Sequence, residues 1–345
     1  MKVAIVQETP IDPERDAGSR AIKDLGDSFA RIGFETIFLV ENPNLEDALT
    51  KFSADVIVVS QLSTMIRARN FRADFNVPVV YWAQDLHAKR MSLGEGIEGA
   101  SASSSLAMSL KEQLVISSAD LAVFPTKEDS DAARRKYSVS NLEQHQYFSI
   151  GSSLPLHEPK REDTLLFIGS PAHLPNLDAL RWFLKDCWPL IQDKEKSVKL
   201  QIIGSWQDSE IYRQVHEGVE FIGQLTEDEV SDAMRKGLIG ISPLRFGAGL
   251  KRKTLQYLEY GLALLSTDFG LQGLPRSQDN KSWLRANTKI DFVDATIRLI
   301  QQPDITKEMA KSGNEFVRKS FSEQAFDLAL EQILIKANAQ KTLGS

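Results

Sequence analysis

The chain alternates short apolar runs with longer amphipathic segments along most of its length. Val3–Val6, Val56–Val59 and Leu121–Phe124 are almost continuously apolar, and polar or turn residues bound each of them. Such runs are typical of strands that are buried on both faces, and the segments between them are long enough for helices. The pattern therefore predicts an α/β fold in which right-handed crossovers build a doubly wound parallel sheet.

The alternation is interrupted at residues 151–163, where Gly, Ser, Pro and charged residues stand together without periodicity. We interpret this stretch as a linker between an N-terminal domain over residues 1–152 and a second α/β domain that begins at residue 163. The length of 345 residues fits this division, at about 150 residues per domain. In the second half the predicted strands are Thr164–Ile168, Leu200–Ile203, Val219–Ile222, Leu238–Ser242 and Leu262–Ser266, and the predicted helices include Asn176–Ile191 and Leu250–Tyr260.

Composition excludes several classes of protein. The 41 basic and 47 acidic residues give a net charge of −6, which argues against a general nucleic-acid binder, because such a protein needs a basic face. The single cysteine, Cys187, excludes a disulfide framework, and its apolar surroundings predict a buried thiol. The histidines show no metal-ligand spacing, so no metal is expected.

The sequence contains no run of about 18 apolar residues that would span a membrane. It opens directly on the strand-like run Met1–Val6, without the charged and apolar regions of a signal peptide. We therefore expect a cytoplasmic protein, and this expectation argues against a periplasmic sugar-binding protein of similar architecture. The basic residues 134–136 would allow peripheral contact with a membrane, but a solvated helix face explains them more simply.

The most informative segment is residues 242–253, in which a predicted strand ends, a glycine-rich loop turns and a predicted helix begins with Lys251, Arg252 and Lys253. Cations oppose the helix dipole at this end, whereas free N–H groups and glycines favour a bound anion. We interpret the segment as a phosphate or diphosphate site, and the alternative is a solvated basic turn. Helical periodicity predicts that Lys251 and Lys253 do not face the same side.

Three weaker segments also follow predicted strands, and ligands bind parallel sheets at that edge. Residues 12–20 combine polar residues with a Gly-Ser turn, although Ser19 or Asp16 as a simple helix cap explains them equally well. Residues 82–90 bring Asp85, His87 and Arg90 together, and a surface histidine is the more common alternative. Residues 169–176 place His173 before a helix that begins near Pro175.

Together these segments resemble the GT-B-fold glycosyltransferases of family four. Residues 243–273 match the family pattern PLRFGAGLKxKxLEAxxxGxPVVxTxxGxxGL most specifically, from the PLRFGAGLK run to the segment that ends at Gly273. The other segments are similar to companion motifs in the same order, and so is the tail near Phe316–Leu328. The resemblance covers nearly the whole chain.

The resemblance implies two Rossmann-like domains that face a cleft, with the acceptor in residues 1–152, the donor in residues 163–320 and a helix over residues 321–345 that crosses back to the first domain. It implies a retaining, metal-independent transfer from a nucleotide-diphosphate sugar to a saccharide or lipid-linked acceptor, in bacterial surface-polysaccharide or glycoconjugate assembly. The implied catalytic residues are Asp85, His87, Lys251 and Lys253. The implied donor-binding residues are Gly18, Ser19, Gly169, His173, Gly223, Phe246, Gly247, Ala248, Gly249, Leu250 and Gln256, and the implied acceptor-binding residues are Asp16, Arg20 and Arg90.

The sequence departs from the family at three places. Ala248 and Gln256 stand near the positions of two glutamates, the second of which contacts the ribose of the nucleotide in the family. An arginine that the family has after Gly169 is missing as well. These departures favour an alternative function, a non-catalytic module that binds nucleotide or carbohydrate or acts as a partner subunit. An epimerase on the same fold is a third interpretation, but its own motif is absent.

Overall fold

The computed structural model describes residues 1–12, 17–65, 76–94, 102–145, 148–150, 163–214 and 216–344. The chain divides into two compact units. The N-terminal unit comprises Met1–Ser149, Ala248–Leu250 and Glu323–Ser345, and the C-terminal unit comprises Ile150–Gly247 and Lys251–Ser322.

The described part of the N-terminal unit forms a six-stranded parallel sheet in the order β2-β1-β3-β4-β5-β6. Its strands are β1 (Lys2–Gln7), β2 (Glu35–Val40), β3 (Val56–Val59), β4 (Val79–Trp82), β5 (Leu121–Phe124) and β6 (Leu142–Gln144). Its helices are α1 (Ala17–Arg31), α2 (Leu45–Phe52), α3 (His87–Leu93), α4 (Ala102–Ser118), α5 (Lys127–Tyr137) and α12 (Glu323–Gly344). Every residue of β3, β4 and β5 is buried, as their apolar runs predict.

Helix α12 is attached to the N-terminal unit by polar and aromatic contacts. Arg31 on α1 donates two hydrogen bonds to the Asp327 carboxylate, at 2.9 and 2.7 Å. At the neighbouring position of α12, Phe326 packs against the buried ring of His145, which also packs against Trp82. The ring centroids of Trp82 and Phe326 lie 4.9 and 4.4 Å from that of His145. The aromatic contacts bury apolar surface and the Arg31–Asp327 pair adds a bidentate, charge-assisted contact, so both kinds hold this helix in place.

The described part of the C-terminal unit forms a second six-stranded parallel sheet, in the order β12-β11-β10-β7-β8-β9. Its strands are β7 (Thr164–Ile168), β8 (Lys199–Ile203), β9 (Val219–Gly223), β10 (Ile239–Ser242), β11 (Ala263–Ser266) and β12 (Trp283–Arg285). Its helices are α6 (Leu174–Trp182), α7 (Trp188–Lys194), α8 (Glu227–Lys236), α9 (Arg252–Glu259), α10 (Lys289–Gln301) and α11 (Pro303–Ser320). The prediction of a doubly wound parallel sheet in each half is confirmed.

The single helix predicted at Asn176–Ile191 is interrupted. A π-helical turn, Phe183–Cys187, separates α6 from α7. Pro189 lies in the first turn of α7 and has no N–H to continue the helical hydrogen bonds, which accounts for the wider turn before it. Cys187 is buried in this turn, and burial, aided by the nearby Asp186 carboxylate, raises the pKa of its thiol to about 12. The predicted structural thiol is therefore confirmed.

Other differences lie at the ends of elements. The helix predicted at Leu250–Tyr260 begins only at Arg252, so Gly249 and Leu250 precede it. The edge strands β6 and β12 escaped prediction because each has three residues and includes polar side chains. Short edge strands of this kind lack the continuous apolar run that marks a buried strand.

Gly240 lets helix α9 lie directly against strand β10. A Cβ atom at Gly240 would lie 2.2 Å from Cγ of Tyr257, and Tyr257 is 0% exposed. The Tyr257 hydroxyl also accepts a hydrogen bond from the Ile168 N–H on β7, at 2.9 Å. These two contacts fix the position of α9 on the sheet and therefore the position of the basic residues at its start.

We expect Gly240→Ala to lower the free energy of unfolding by about 1–3 kcal/mol, because the enclosed Tyr257 ring has no space to move into. Gly26→Ala is the matched control, since its Cβ would also lie 2.2 Å from a ring atom, in Phe38. Phe38 is 42% exposed on the edge strand β2 and is free to turn outward, while alanine favours helix α1 by about 1 kcal/mol. Urea unfolding measures both variants, and equal losses would contradict the close packing at Gly240.

Candidate functional site

The predicted anion-binding segment of the C-terminal unit follows strand β10 and leads into α9. Lys251 occupies the N-cap position of α9 without a side-chain cap, and the first turn of the helix contains no acidic residue. Gly247 has a φ of +147°, and a Cβ atom there would lie 3.5 Å from Cε of Lys251. Cations interact unfavourably with the positive, N-terminal end of a helix dipole, so this arrangement favours an anion near Lys251.

Lys253 is partly buried at the start of α9. Its Nζ donates a hydrogen bond to Oδ1 of Asn176, at 2.7 Å, and lies 4.5 Å from the centre of the Phe167 ring. Burial, together with the positive charge of Lys251, lowers the pKa of Lys253 to about 7. Because its partner is a neutral amide, the positive charge of Lys253 is uncompensated when the amine is protonated, and an anionic ligand would stabilise that protonated form.

Gly169, Asn176 and Lys253 are brought together at the end of strand β7. A Cβ atom at Gly169 would lie 2.7 Å from Cγ of Asn176, so glycine is required for the amide to approach. The Gly169 carbonyl accepts a hydrogen bond from Nε1 of Trp206 at 2.6 Å, which fixes the turn. His173 occupies the N-cap position of α6, and its carbonyl accepts a hydrogen bond from the Asn176 N–H at 2.8 Å.

The other predicted donor residues of this unit lie farther along. Gly223 ends the edge strand β9 with a φ of +91°, and its carbonyl accepts from the Gly204 N–H. Gln256 is partly buried one turn after Lys253 on α9. Phe246 is buried, and Arg245, in the same loop, holds the Asp178 carboxylate of α6 through both carboxylate oxygens. Arg245 is therefore a structural residue of the loop rather than a free cation.

In the N-terminal unit, Asp85, His87 and Arg90 meet after strand β4. Asp85 is almost fully buried, and Oδ2 accepts a hydrogen bond from the Arg90 guanidinium. Oδ1 of Asp85 lies 3.0 Å from Nδ1 of His87. Asp85 therefore lies between the imidazole and the guanidinium, and its hydrogen bond orients the guanidinium.

Glu112 also belongs to this group, although the sequence analysis did not single it out. Its buried carboxylate accepts hydrogen bonds from the N–H groups of His87 and Ala88, at 2.6 and 3.1 Å. Burial lowers the pKa of His87, but the carboxylates of Glu112 and Asp85 outweigh burial and leave that pKa above its usual value. No sequence pattern marked Glu112, because this helix buries polar residues such as Ser105 and exposes Leu106 and Leu110, so its buried face is not its apolar face.

Ala248–Leu250 belong to the N-terminal unit, where Asp129 binds Gly249. Oδ2 of Asp129 accepts from the Gly249 N–H at 2.8 Å, and its Oδ1 accepts from Nζ of Lys89 at 2.7 Å. Gly249 has a φ of +76°, which favours glycine. Asp129 was also missed, because it stands three residues after Thr126 and looks like an ordinary helix-capping acid in the sequence.

The remaining predicted residues of this unit are at the start of α1. A Cβ atom at Gly18 would lie 2.7 Å from the side-chain amide of Gln84, so Gly18 allows the helix to begin close to the loop after β4. Ser19 and Arg20 are partly buried in the same turn. Asp16 lies outside the described residues.

Within the part of the chain that the structure describes, no cluster of three or more His, Cys, Asp or Glu side chains is arranged to hold a metal ion. No helix in the same part combines the length and the apolar character that crossing a membrane requires.

Comparison with known proteins gives a family match for most of the C-terminal unit. The sequence from residue 162 to residue 302 matches the family described as glycosyl transferases group 1. The match covers less than half of the chain, so it describes this segment alone. The matched range includes Gly169, Lys251 and Lys253, so the segment that carries the basic residues is similar to the predicted family. The finer subgroup defined by the PLRFGAGLK loop stays a prediction.

Solved structures confirm the fold. Sucrose-phosphate synthase from Thermosynechococcus elongatus is similar with a TM-score of 0.77 and 13% identity, over 98% of this chain and 100% of that chain. HepE from Anabaena, solved in complex with UDP, is similar with a TM-score of 0.71 and 11% identity, over 97% of this chain and 99% of that chain. At these identities the similarity establishes the fold, which is GT-B as predicted.

One curated relative is similar in sequence. It is an uncharacterized 44.6 kDa protein in the cps region of Klebsiella pneumoniae, 23% identical over 189 residues. The match covers 51% of this chain and 48% of that protein, so the chain spans about half the length of this relative.

We expect Lys253→Met to raise the free energy of unfolding by about 1 kcal/mol near neutral pH, because the variant no longer buries a cation. A lysine in an unfolded chain has a pKa of about 10.4, whereas the pKa of Lys253 in the folded protein is about 7. Between these values the unfolded wild type binds more protons, so wild-type stability rises with pH across the window and the advantage of the variant shrinks.

Urea unfolding from about pH 6 to about pH 9 measures this difference. Lys311→Met, an exposed lysine on α11, is the matched control and is expected to show no such dependence. A Lys253→Met variant that is less stable than the wild type at neutral pH would contradict the assignment of Lys253 as a strained cation.

Proposed function

We propose that the protein is a retaining, metal-independent glycosyltransferase that moves a sugar from a nucleotide-diphosphate sugar to a hydroxyl of an acceptor. The observation that carries the proposal is the position of Lys253, a partly buried cation within the segment that matches the group 1 family. The hydrogen-bond partner of Lys253 is the neutral Asn176 amide. Negative charge develops on the diphosphate as it leaves, and fixed cations stabilise that charge. Lys251 and Lys253 would supply the positive charge that a metal ion supplies in other transferases.

The proposed roles follow the chemistry of each group. Lys251, Lys253 and the backbone of residues 246–250 hold the diphosphate, and Gly18, Ser19, Gly169 and His173 are further donor-binding residues. Gln256 contacts the ribose and Gly223 lies near the base. His87 contacts the donor sugar, because a raised pKa favours the charged, hydrogen-bond-donating form of the imidazole, and Asp85 orients it. Asp16, Arg20 and Arg90 bind the acceptor.

The domain assignment belongs to the same proposal. Residues 1–152 bind the acceptor, residues 163–320 bind the donor, and the helix over residues 321–345 packs on the first domain. UDP-sugars are the first donors to test, because HepE, which shares the fold, has been solved with UDP and with UDP-glucose.

We further propose a saccharide or lipid-linked acceptor in bacterial surface-polysaccharide assembly. The relative from the cps region of Klebsiella pneumoniae supports this assignment. A lipid-linked acceptor would require peripheral contact with the inner face of the membrane from the cytoplasm.

A non-catalytic module is the second candidate, and a specific observation favours it. Ala248 is buried and Gln256 is neutral near the two positions where the family has glutamates. A neutral amide accepts a hydrogen bond more weakly than a carboxylate does. Such a module would bind the nucleotide through the same basic residues without transferring the sugar.

The test is a panel of UDP-, GDP- and dTDP-sugars, assayed for hydrolysis and transfer with and without chelator. We expect turnover of at least one donor and no loss of activity in chelator. Tight nucleotide binding without turnover of any donor would favour the non-catalytic module. Loss of activity in chelator, restored by a divalent metal, would contradict the metal-independent mechanism.

The basic residues are tested separately by calorimetric titration with UDP and UMP. We expect Lys251→Ala and Lys253→Ala each to weaken UDP binding by about tenfold, which is about 1.4 kcal/mol. UMP binding should change less, because UMP lacks the second phosphate. Lys311→Ala is the control. Unchanged UDP affinity in both site variants would contradict the assignment of Lys251 and Lys253 as diphosphate-binding residues.

A further inference from the structure

Helix α3, which begins with His87, has no cap of its own. Its N-cap residue is Leu86, whose side chain makes no capping hydrogen bond, and its first turn contains no acidic residue. The first N–H groups of a helix need an acceptor from elsewhere. Glu112 provides it from α4, 25 residues along the chain from His87, by accepting from the N–H groups of His87 and Ala88.

Three hydrogen bonds fix the Glu112 carboxylate in one position. Its Oε1 accepts from the His87 N–H, and its Oε2 accepts from the Ala88 N–H and from the Tyr137 hydroxyl at 2.9 Å. Glu112 is 1% exposed, so solvent screens its charge very little. These bonds hold the carboxylate beside His87, where it raises the pKa of the imidazole.

The same carboxylate faces the His87 ring. Oε1 of Glu112 lies 3.6 Å from Nδ1 of His87, and Oδ1 of Asp85 lies 3.0 Å from the same nitrogen. The guanidinium of Arg90 opposes them, because it lies close to Asp85 and lowers the pKa of His87. The carboxylates of Glu112 and Asp85 favour a protonated His87 ring, and the Arg90 guanidinium disfavours it. The combined effect of these three charges favours the protonated ring.

We propose that Glu112 is the positioning residue of His87, because it anchors the backbone at the start of α3 and holds the imidazole in its charged form. The carboxylates then face Nδ1, and Nε2–H is left as a charged donor for an oxygen of the ligand. This inference rests on the proposed function for the identity of the ligand, but the charge of the ring does not depend on that identity. Burial lowers the pKa of His87 and the two carboxylates more than reverse the effect, which agrees with this role.

The experiment follows the His87 ring by NMR in protein labelled at histidine, as pH is varied. His87→Gln identifies the resonance of His87 among the 5 histidines. In the wild type we expect a pKa above the ordinary value of about 6.5. In Glu112→Gln we expect that pKa to fall by about one unit, and the alkaline limb of kcat/KM to move down in pH by the same amount. One unit corresponds to about a tenfold loss of the charged form at pH values above the pKa.

Two other variants serve as controls. Tyr137→Phe removes a hydroxyl from Glu112 but leaves its charge, so the His87 pKa should change by less than in Glu112→Gln. Glu46→Gln makes the same change in net charge on the exposed start of α2 and should leave the His87 pKa unaltered. A Glu112→Gln protein that is folded by circular dichroism and keeps the wild-type His87 pKa overturns the proposal.

The proposal can be tested even if the Glu112→Gln variant does not fold. A wild-type His87 pKa at or below the ordinary value overturns the proposal without any variant, and Glu112→Asp, which moves the charge by one methylene, should lower the pKa by a smaller amount. Failure of the proposed function can be distinguished from failure of the Glu112 proposal, because the NMR titration needs no sugar donor. A shifted pKa with no turnover supports the role of Glu112 and contradicts only the transferase activity.

Discussion

The hydrogen bond between Lys253 and Asn176 is the contact on which the candidate site depends. It joins the start of α9 to the start of α6, and both lie beside the end of strand β7. Strand β7 holds α9 at two neighbouring residues, since Phe167 lies under the Lys253 ammonium and the Ile168 N–H bonds Tyr257. The helix cannot turn without breaking one of these contacts, so the cation is held in place before any ligand arrives. Such preorganisation is what makes a fixed charge effective against a leaving anion.

Two other helix starts contrast with that of α9. Helix α3 is capped by the carboxylate of Glu112, and α8 begins with a complete capping box formed by Thr226 and Glu229. These acids lie where the helix dipole favours negative charge. Helix α9 begins instead with Lys251, Arg252 and Lys253, a choice that lowers the stability of the helix. A bound diphosphate would supply the missing negative charge, so the rule that explains the capped helices also supports the proposal that α9 binds an anion.

The parts of the fold that could be predicted from sequence are those determined by local pattern. Runs such as Val56–Val59 are apolar at every position, and both sheets follow from them. The Gly-rich loop before Lys251 could be found because its composition and position are unusual. The partners of the site could not be found in this way. Glu112 meets His87 only because α4 packs against α3, and an acid in the middle of a helix does not reveal its partner.

The substitution at Gln256 can be understood from the same electrostatics. Position 256 lies three and four residues after Lys253 and Arg252, which is the spacing at which side chains on a helix interact. A glutamate there would partly neutralise the positive charge of both residues, whereas a neutral glutamine does not reduce the charge that a ligand meets. If the proposed function holds, the exchange would weaken the hydrogen bond to the ribose and strengthen the attraction for the phosphates of a nucleoside diphosphate. In the proposed site, glutamine at position 256 would therefore shift recognition toward the diphosphate, because the charge of Lys253 would act mainly on the phosphates.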